Sequence, residues 1–244
     1  MSGFSVGARP DPEVAAGAAR YQRGNGMRIE RPRYGNIVMP SSATSQISAA
    51  YGRMPSFHEG ALPAYRAMRE ETGRQFDFMT KSARQGGLGI DTEVTKHDPY
   101  GLGGSYHSVV NDLRNDVQNN HRIKVMSTET TGAHPFFSND QNDMFRAVHD
   151  VFGHLGSGRG VDRHGEEAAF QKHASMFTPL ARAAMATETR GQNAWVHSGG
   201  NGEFGEQKVG LLPAAMRRLN FTSGAASVSD RQQALRQNQG QGLN

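Results

Sequence analysis

The chain of 244 residues contains no cysteine. That excludes disulfides, thiolate metal sites, iron–sulfur clusters and cysteine nucleophiles. It contains no apolar run near the ~20 residues needed to span a bilayer, so no membrane partner is expected. The first residues, MSGFSVGARPDPE, lack the apolar stretch of a signal peptide, and synthesis in a cytoplasm as a soluble protein is expected. Hydrophobic residues make up only 36% and glycine reaches 30, so part of the chain is expected to lie outside a packed core. Basic residues interleaved with aromatics, the pattern that stacks nucleic-acid bases, are missing too.

The net charge of +4 sits mainly at the N-terminus, where residues 1–55 hold seven Arg and three acids. This segment is rich in Gly, Ala, Ser, Pro and Arg. It reads as an extended basic arm with a short helix at Pro12–Arg23. Such an arm suits contact with nucleic acid or an acidic protein surface. Residues 221–244 end in a Gln/Asn/Gly run and read as a polar tail. Between them, 56–220 reads as a mainly α core with minor short strands.

Within the core, Leu62–Lys81 is an amphipathic helix with Pro63 in its first turn. Ile90–Thr95 and Ile123–Thr128 alternate as strands, around a helix over His107–Asn120. Asp98-Pro99-Tyr100-Gly101 is a turn. Asn139 or Asp140 caps a helix carrying Met144, Phe145, Val148, Val151 and Phe152 on its apolar face. Gly165 opens a further helical segment that Pro179 kinks or divides. Val209–Leu219 is expected to form a last short helix.

The chemistry concentrates at His149-Asp150-Val151-Phe152-Gly153-His154. Imidazole is a common ligand for iron, zinc, copper and nickel. Positions five apart on an α-helix diverge by about 140°, so the second imidazole requires a loosened last turn, for which Gly153 supplies the freedom. Asp150 then points away from His149 and is a pocket residue. Glu166, Glu167, Glu188 and Glu203 are the downstream acids able to complete a two-histidine, one-carboxylate set, and Glu188, at the end of an Ala-lined helix, has the best placement. Glu166 and His173, seven apart, share a helical face as a hydrogen-bonded or metal-binding pair. Arg190 can hold an anionic group in a bidentate way. Trp195, Phe145 and Phe152 are candidate pocket walls.

The hexad is similar to the His-(Glu/Asp)-x-x-Gly-His core of the pterin-dependent aromatic amino acid hydroxylases. The resemblance implies a non-haem Fe(II) site of His149, His154 and Glu188, catalytic roles for Asp150 and Arg190, and a helical catalytic domain. It continues through Val209-Gly210-Leu211-Leu212-Pro213, which resembles the family's Gly-Leu-Leu segment. The family's Thr-Pro-Glu-Pro-Asp run is replaced here by Asn139-Asp140-Gln141-Asn142-Asp143, so the resemblance covers metal ligation and not the pterin.

A closer resemblance, over about residues 60–215, is to a module of tailed-bacteriophage proteins. That module occurs freestanding or within large virion-associated polypeptides. It is carried by Asn142–Asp150, Gly165-Glu166-Glu167-Ala168, His173, Pro179-Leu180-Ala181-Arg182, Glu188–Asn193, Trp195 and Gln207–Pro213. It implies a phage protein, made in the host cytoplasm and then located in the virion. Residues 1–55 and 221–244 would contact other virion proteins. Two functions follow as expectations. One is an iron monooxygenase-like protein. The other is a purely structural capsid or tail-region component whose arms lace onto neighbours. Hydrolytic zinc chemistry on the same ligands ranks below iron, because no HExxH motif is present.

Overall fold

A computed structural model describes residues 9–29, 33–101, 106–200, 202–222 and 227–239. It is mainly helical, with a single two-stranded sheet among these residues.

The N-terminal segment departs from the expected extended arm. Helix α1 (Pro12–Gly24) starts where the Asp11 carboxylate accepts the Glu13 and Val14 amides, with Pro12 in the first turn. Its face of Val14, Ala18 and Tyr21 is buried. Helix α2 (Ser41–Gly52) buries Ala43, Ile47 and Tyr51. Both belong to the main core. The composition conceals this because each helix offers only a few apolar side chains and relies on small residues for close approach. At Gly17, an added Cβ would stand 2.5 Å from Leu88.

Helix α3 (Leu62–Thr80) follows the expected amphipathic pattern, burying Tyr65, Met68 and Met79, and it also buries the polar Gln75. Strands β1 (Asp91–Thr95) and β2 (Arg122–Met126) pair in parallel, with Asp91 opposite Arg122 and Thr95 opposite Met126. The crossover between them carries α4 (Tyr106–Asn120), which buries Val109, Val110, Leu113 and Val117. After the one-turn α5 (Thr128–Thr131), helix α6 (Asn139–His149) begins one residue earlier than the expected caps. Ser138 and Gln141 form a capping box, which satisfies two otherwise orphaned amides.

Helix α7 (Arg163–Ala174) is capped by Asp162, and α8 (Pro179–Ala186) by Thr178, so Pro179 divides the helical segment. The Glu71 carboxylate of α3 accepts the Thr178 amide and hydroxyl, fixing the break. The short helix α9 (Gln192–Ala194) follows.

No helix forms over 209–219. Val209 instead bridges to Phe57, and the carbonyls of Lys208 and Gly210 accept from Tyr65 and Thr187. Backbone groups drawn into those bonds are unavailable to a helix. The tail, too, contains a helix among its described residues. Helix α10 (Val228–Gln239) packs Ala234 against Val38, while Asp230 accepts from Ser41 and Arg163. Among the described residues no helix is long and apolar enough to cross a membrane.

Candidate metal centre

The two histidines of the hexad meet without any loosening of the helix. Directly after α6 the chain continues as a π-helix over Asp150–Leu155. Its i→i+5 hydrogen bonding brings residues five apart onto one face, and such turns recur at functional sites. The imidazole centroids of His149 and His154 lie 5.2 Å apart, nearly perpendicular. Gly153 therefore acts by its size. A Cβ there would stand 3.1 Å from both the Ala169 carbonyl and His149 Nδ1, so a side chain at 153 would crowd the imidazole and α7.

The carboxylate beside the pair belongs to Glu166, in the first turn of α7. Its Oε2 lies 3.6 Å from His154 Nε2 and 3.9 Å from His149 Nε2. The ligating atoms of His149, His154 and Glu166 all fall within 4.8 Å of one another, a group that can hold a metal ion. Asn193 of α9 donates to the same Oε2 at 2.7 Å, steadying the carboxylate from the other side.

The hydrogen bonds define which imidazole nitrogens carry protons. His154 Nδ1 lies 2.9 Å from the Arg159 carbonyl. A carbonyl can only accept, so Nδ1 carries a proton, and in the neutral ring Nε2 presents its lone pair towards Glu166. His149 Nδ1 lies 3.2 Å from His173 Nδ1, while His149 Nε2 is buried and makes no hydrogen bond. Metal-binding histidines have this arrangement, with the nitrogen away from the metal tied to an acceptor.

The three side chains act on one another electrostatically. Burial disfavours charge on His154, but the Glu166 and Asp150 carboxylates outweigh it and hold its pKa above the ordinary value. Burial likewise works against the Glu166 carboxylate, and the neighbouring His154 and His149 reverse this to lower its pKa. Asp150 is raised, mainly by burial. His173 is pushed well below the ordinary imidazole value, again mainly by burial, so it is neutral. Beside the group is a small cleft of about 10 Å³, lined by Glu166, Asn193, His197, Arg163 and Thr44 among others, with His149 and His154 outside its lining.

The remaining expected site residues are used differently. Glu188 stands in a separate buried cluster. It accepts the Tyr65 hydroxyl at 2.5 Å and the Gln192 amide at 2.9 Å, with His134 Nε2 at 3.3 Å. It is not part of the group around His149 and His154. Arg190 does bind a carboxylate in bidentate fashion, but that carboxylate is Glu167, at 2.5 and 2.9 Å. Its remaining nitrogen donates to the Met216 and Arg218 carbonyls, and the guanidinium lies over Phe170. Little capacity is left for a ligand.

Asp150 lies within the field of the pair, as its mutual influence with His149, His154 and Glu166 shows. Glu203 is exposed in its loop. Trp195 packs on Tyr51 and against Gly52 and Gly199, away from the cleft lining. Phe145 stacks on both His149 and His173. Glu166 and His173 do share one face of α7, with His149 placed between them, its Nε2 side towards the acid and its Nδ1 side towards the imidazole.

Compared with family models, curated proteins and solved structures, the chain finds no match.

Proposed function

We propose that this chain is a metal-dependent protein whose His149, His154 and Glu166 form a two-histidine, one-carboxylate centre for iron(II), of the monooxygenase-like class. The observation that carries this reading is geometric: His149 Nε2, His154 Nε2 and Glu166 Oε2 converge, with the ligating atoms within 4.8 Å of one another. The carboxylate draws positive charge towards the imidazoles, as a proton or as a metal cation. Two imidazoles and one carboxylate are the donor set of non-haem iron oxygenases. Iron bound there would supply dioxygen activation for hydroxylation. The protein's part is to fix the ligands through Arg159 and Asn193. The Phe145 ring, stacked on His149, covers one face of that imidazole. The donor set and the small cleft say nothing in favour of a pterin.

Anaerobic loading with Fe(II), desalting and elemental analysis test the assignment. Wild-type protein should retain one equivalent of iron, and His149→Ala and Glu166→Ala should lose it. Glu188→Ala should keep it. Retention in Glu166→Ala together with loss in a folded Glu188→Ala would overturn the choice of Glu166.

The placement in a phage virion rests on the sequence resemblance, and mass spectrometry of purified particles checks it. The packing of α1, α2 and α10 onto the core favours a compact component over one laced to its neighbours through long arms.

A further inference from the structure

Behind His149 lies a buried chain of hydrogen bonds whose direction is fixed at its far end. Gln75, on α3, donates its amide nitrogen to the Met176 carbonyl at 3.0 Å. That bond orients the amide, because the opposite orientation would set oxygen against oxygen. Gln75 Oε1 therefore faces His173 Nε2, at 2.7 Å. An amide oxygen only accepts, so His173 is protonated at Nε2 and bare at Nδ1. His173 Nδ1, 3.2 Å from His149 Nδ1, then accepts the proton carried there. His149 is left with a bare Nε2, the atom that faces Glu166 and has no other partner.

We propose that Gln75 and His173 are positioning residues that hold His149 in the tautomer able to ligate a metal through Nε2. The inference rests on the reading of His149, His154 and Glu166 as a metal centre. Its physical content is that the chain has two self-consistent states. In the state set by Gln75, both links donate away from the centre. Without an acceptor at position 75, His173 can carry its proton on Nδ1 and donate to His149 Nδ1. His149 Nε2 is then protonated and closed to a metal. Stacking of Phe145 on both rings keeps them in place while the protons are redistributed. Gln75 thus acts on the centre from another helix and across an intervening imidazole.

The test combines nitrogen NMR of histidine-labelled, metal-free protein with Co(II) titration followed by visible absorption. The NMR is recorded near pH 8, above the ordinary imidazole value of about 6.5. Wild type should show His149 protonated on Nδ1 and His173 on Nε2. A wild-type His149 protonated on Nε2 overturns the proposal without recourse to any variant. Gln75→Met, which removes the acceptor, should shift both tautomers and weaken Co(II) binding by roughly 10–100-fold, the usual effect of losing an outer partner of a ligating histidine. Gln75→Glu, protonated on the oxygen that meets the Met176 carbonyl, keeps an acceptor oxygen for His173 and should restore the wild-type tautomers and most of the affinity. It separates the proton relay from simple packing at position 75. Tight wild-type binding with unchanged affinity and tautomers in a folded Gln75→Met overturns the relay while leaving the metal centre standing. Absence of Co(II) binding by wild type, with the expected tautomers present, overturns the metal centre and with it the positioning role.

Discussion

Two carboxylates in this protein, the half-buried Glu166 and the buried Glu188, each stand beside imidazole, yet they pose opposite chemical problems. At Glu188 the neighbours bring protons. His134 accepts the Phe136 and Phe137 amides at Nδ1, so its proton lies on Nε2, the nitrogen facing the carboxylate. The Tyr65 hydroxyl and the Gln192 amide are the groups that hydrogen-bond to it. A buried charge met by several donors is satisfied, and this cluster joins α3 to the segment after α8. At Glu166 the neighbouring imidazoles bring lone pairs instead, and Asn193 is the one side-chain amide that donates. Residue types are nearly the same in the two clusters. What separates a structural network from a metal centre is which ring nitrogen the surrounding backbone and side chains have claimed.

The sharpest way to break that contrast is to exchange the consequences. Beyond the iron-loading test, Glu188→Ala should leave metal content intact but lower stability by about 3 kcal/mol, since the buried charge-assisted bonds from Tyr65 and Gln192 disappear. Urea unfolding with unchanged m-value measures this. A loss well under 1 kcal/mol would mean that the cluster is not the structural one of the pair.

Gly153→Ala tests the packing behind the Glu166 centre. The new methyl would crowd His149 and the Ala169 carbonyl, costing about 1–3 kcal/mol as overpacked substitutions do. It should also weaken Co(II) binding, whereas Glu188→Ala should not. Wild-type affinity in Gly153→Ala would show that the ring has room to shift.

The smallest effect is expected far from both carboxylates. Burial works against charge on Asp230, but hydrogen bonds from Ser41 and Ser227 prevail and hold its pKa below the ordinary carboxylate value. Its contribution to docking α10 is therefore present above the unfolded value near 4 and is lost as pH falls through the lowered folded value. Asp230→Asn mimics the protonated form. It should speed amide exchange in α10 at neutral pH while changing global stability by under about 1 kcal/mol and leaving metal binding untouched. Unaltered exchange in 228–239 would show that Ala234 alone secures the helix.

Much of the local structure could be read from the sequence. The amphipathic pattern of α3, the flanking strands and the division at Pro179 follow from periodicity and proline chemistry, which are local properties. The histidine pair was legible as a donor set, but its route to a common face was not. A π turn differs from a frayed α turn only in which carbonyl each amide finds, and Gly153 is compatible with either. Glu188 looked the better ligand because its helix of small residues suits close approach. That same close approach brings it to Tyr65 and His134 instead. Arg190 was legible as a carboxylate-binding residue, while the identity of the carboxylate, Glu167, depends on how α7 packs against the segment after α8. Gln75 left no signal, since a glutamine on an amphipathic helix normally faces water.

The sequence by itself determined the absence of thiolate chemistry, the helical character of the core and the concentration of metal-binding side chains between 149 and 190. These depend on residue type and spacing along one chain. Only the tertiary structure decided that residues 12–24 and 41–52 join the core and that Glu166 rather than Glu188 faces the histidines. It also decided that each imidazole turns a bare nitrogen to that carboxylate. Those outcomes depend on hydrogen-bond partners brought from distant segments, such as Arg159 for His154 and Gln75 through His173 for His149, and no local pattern encodes which of two nitrogens a remote acceptor will claim.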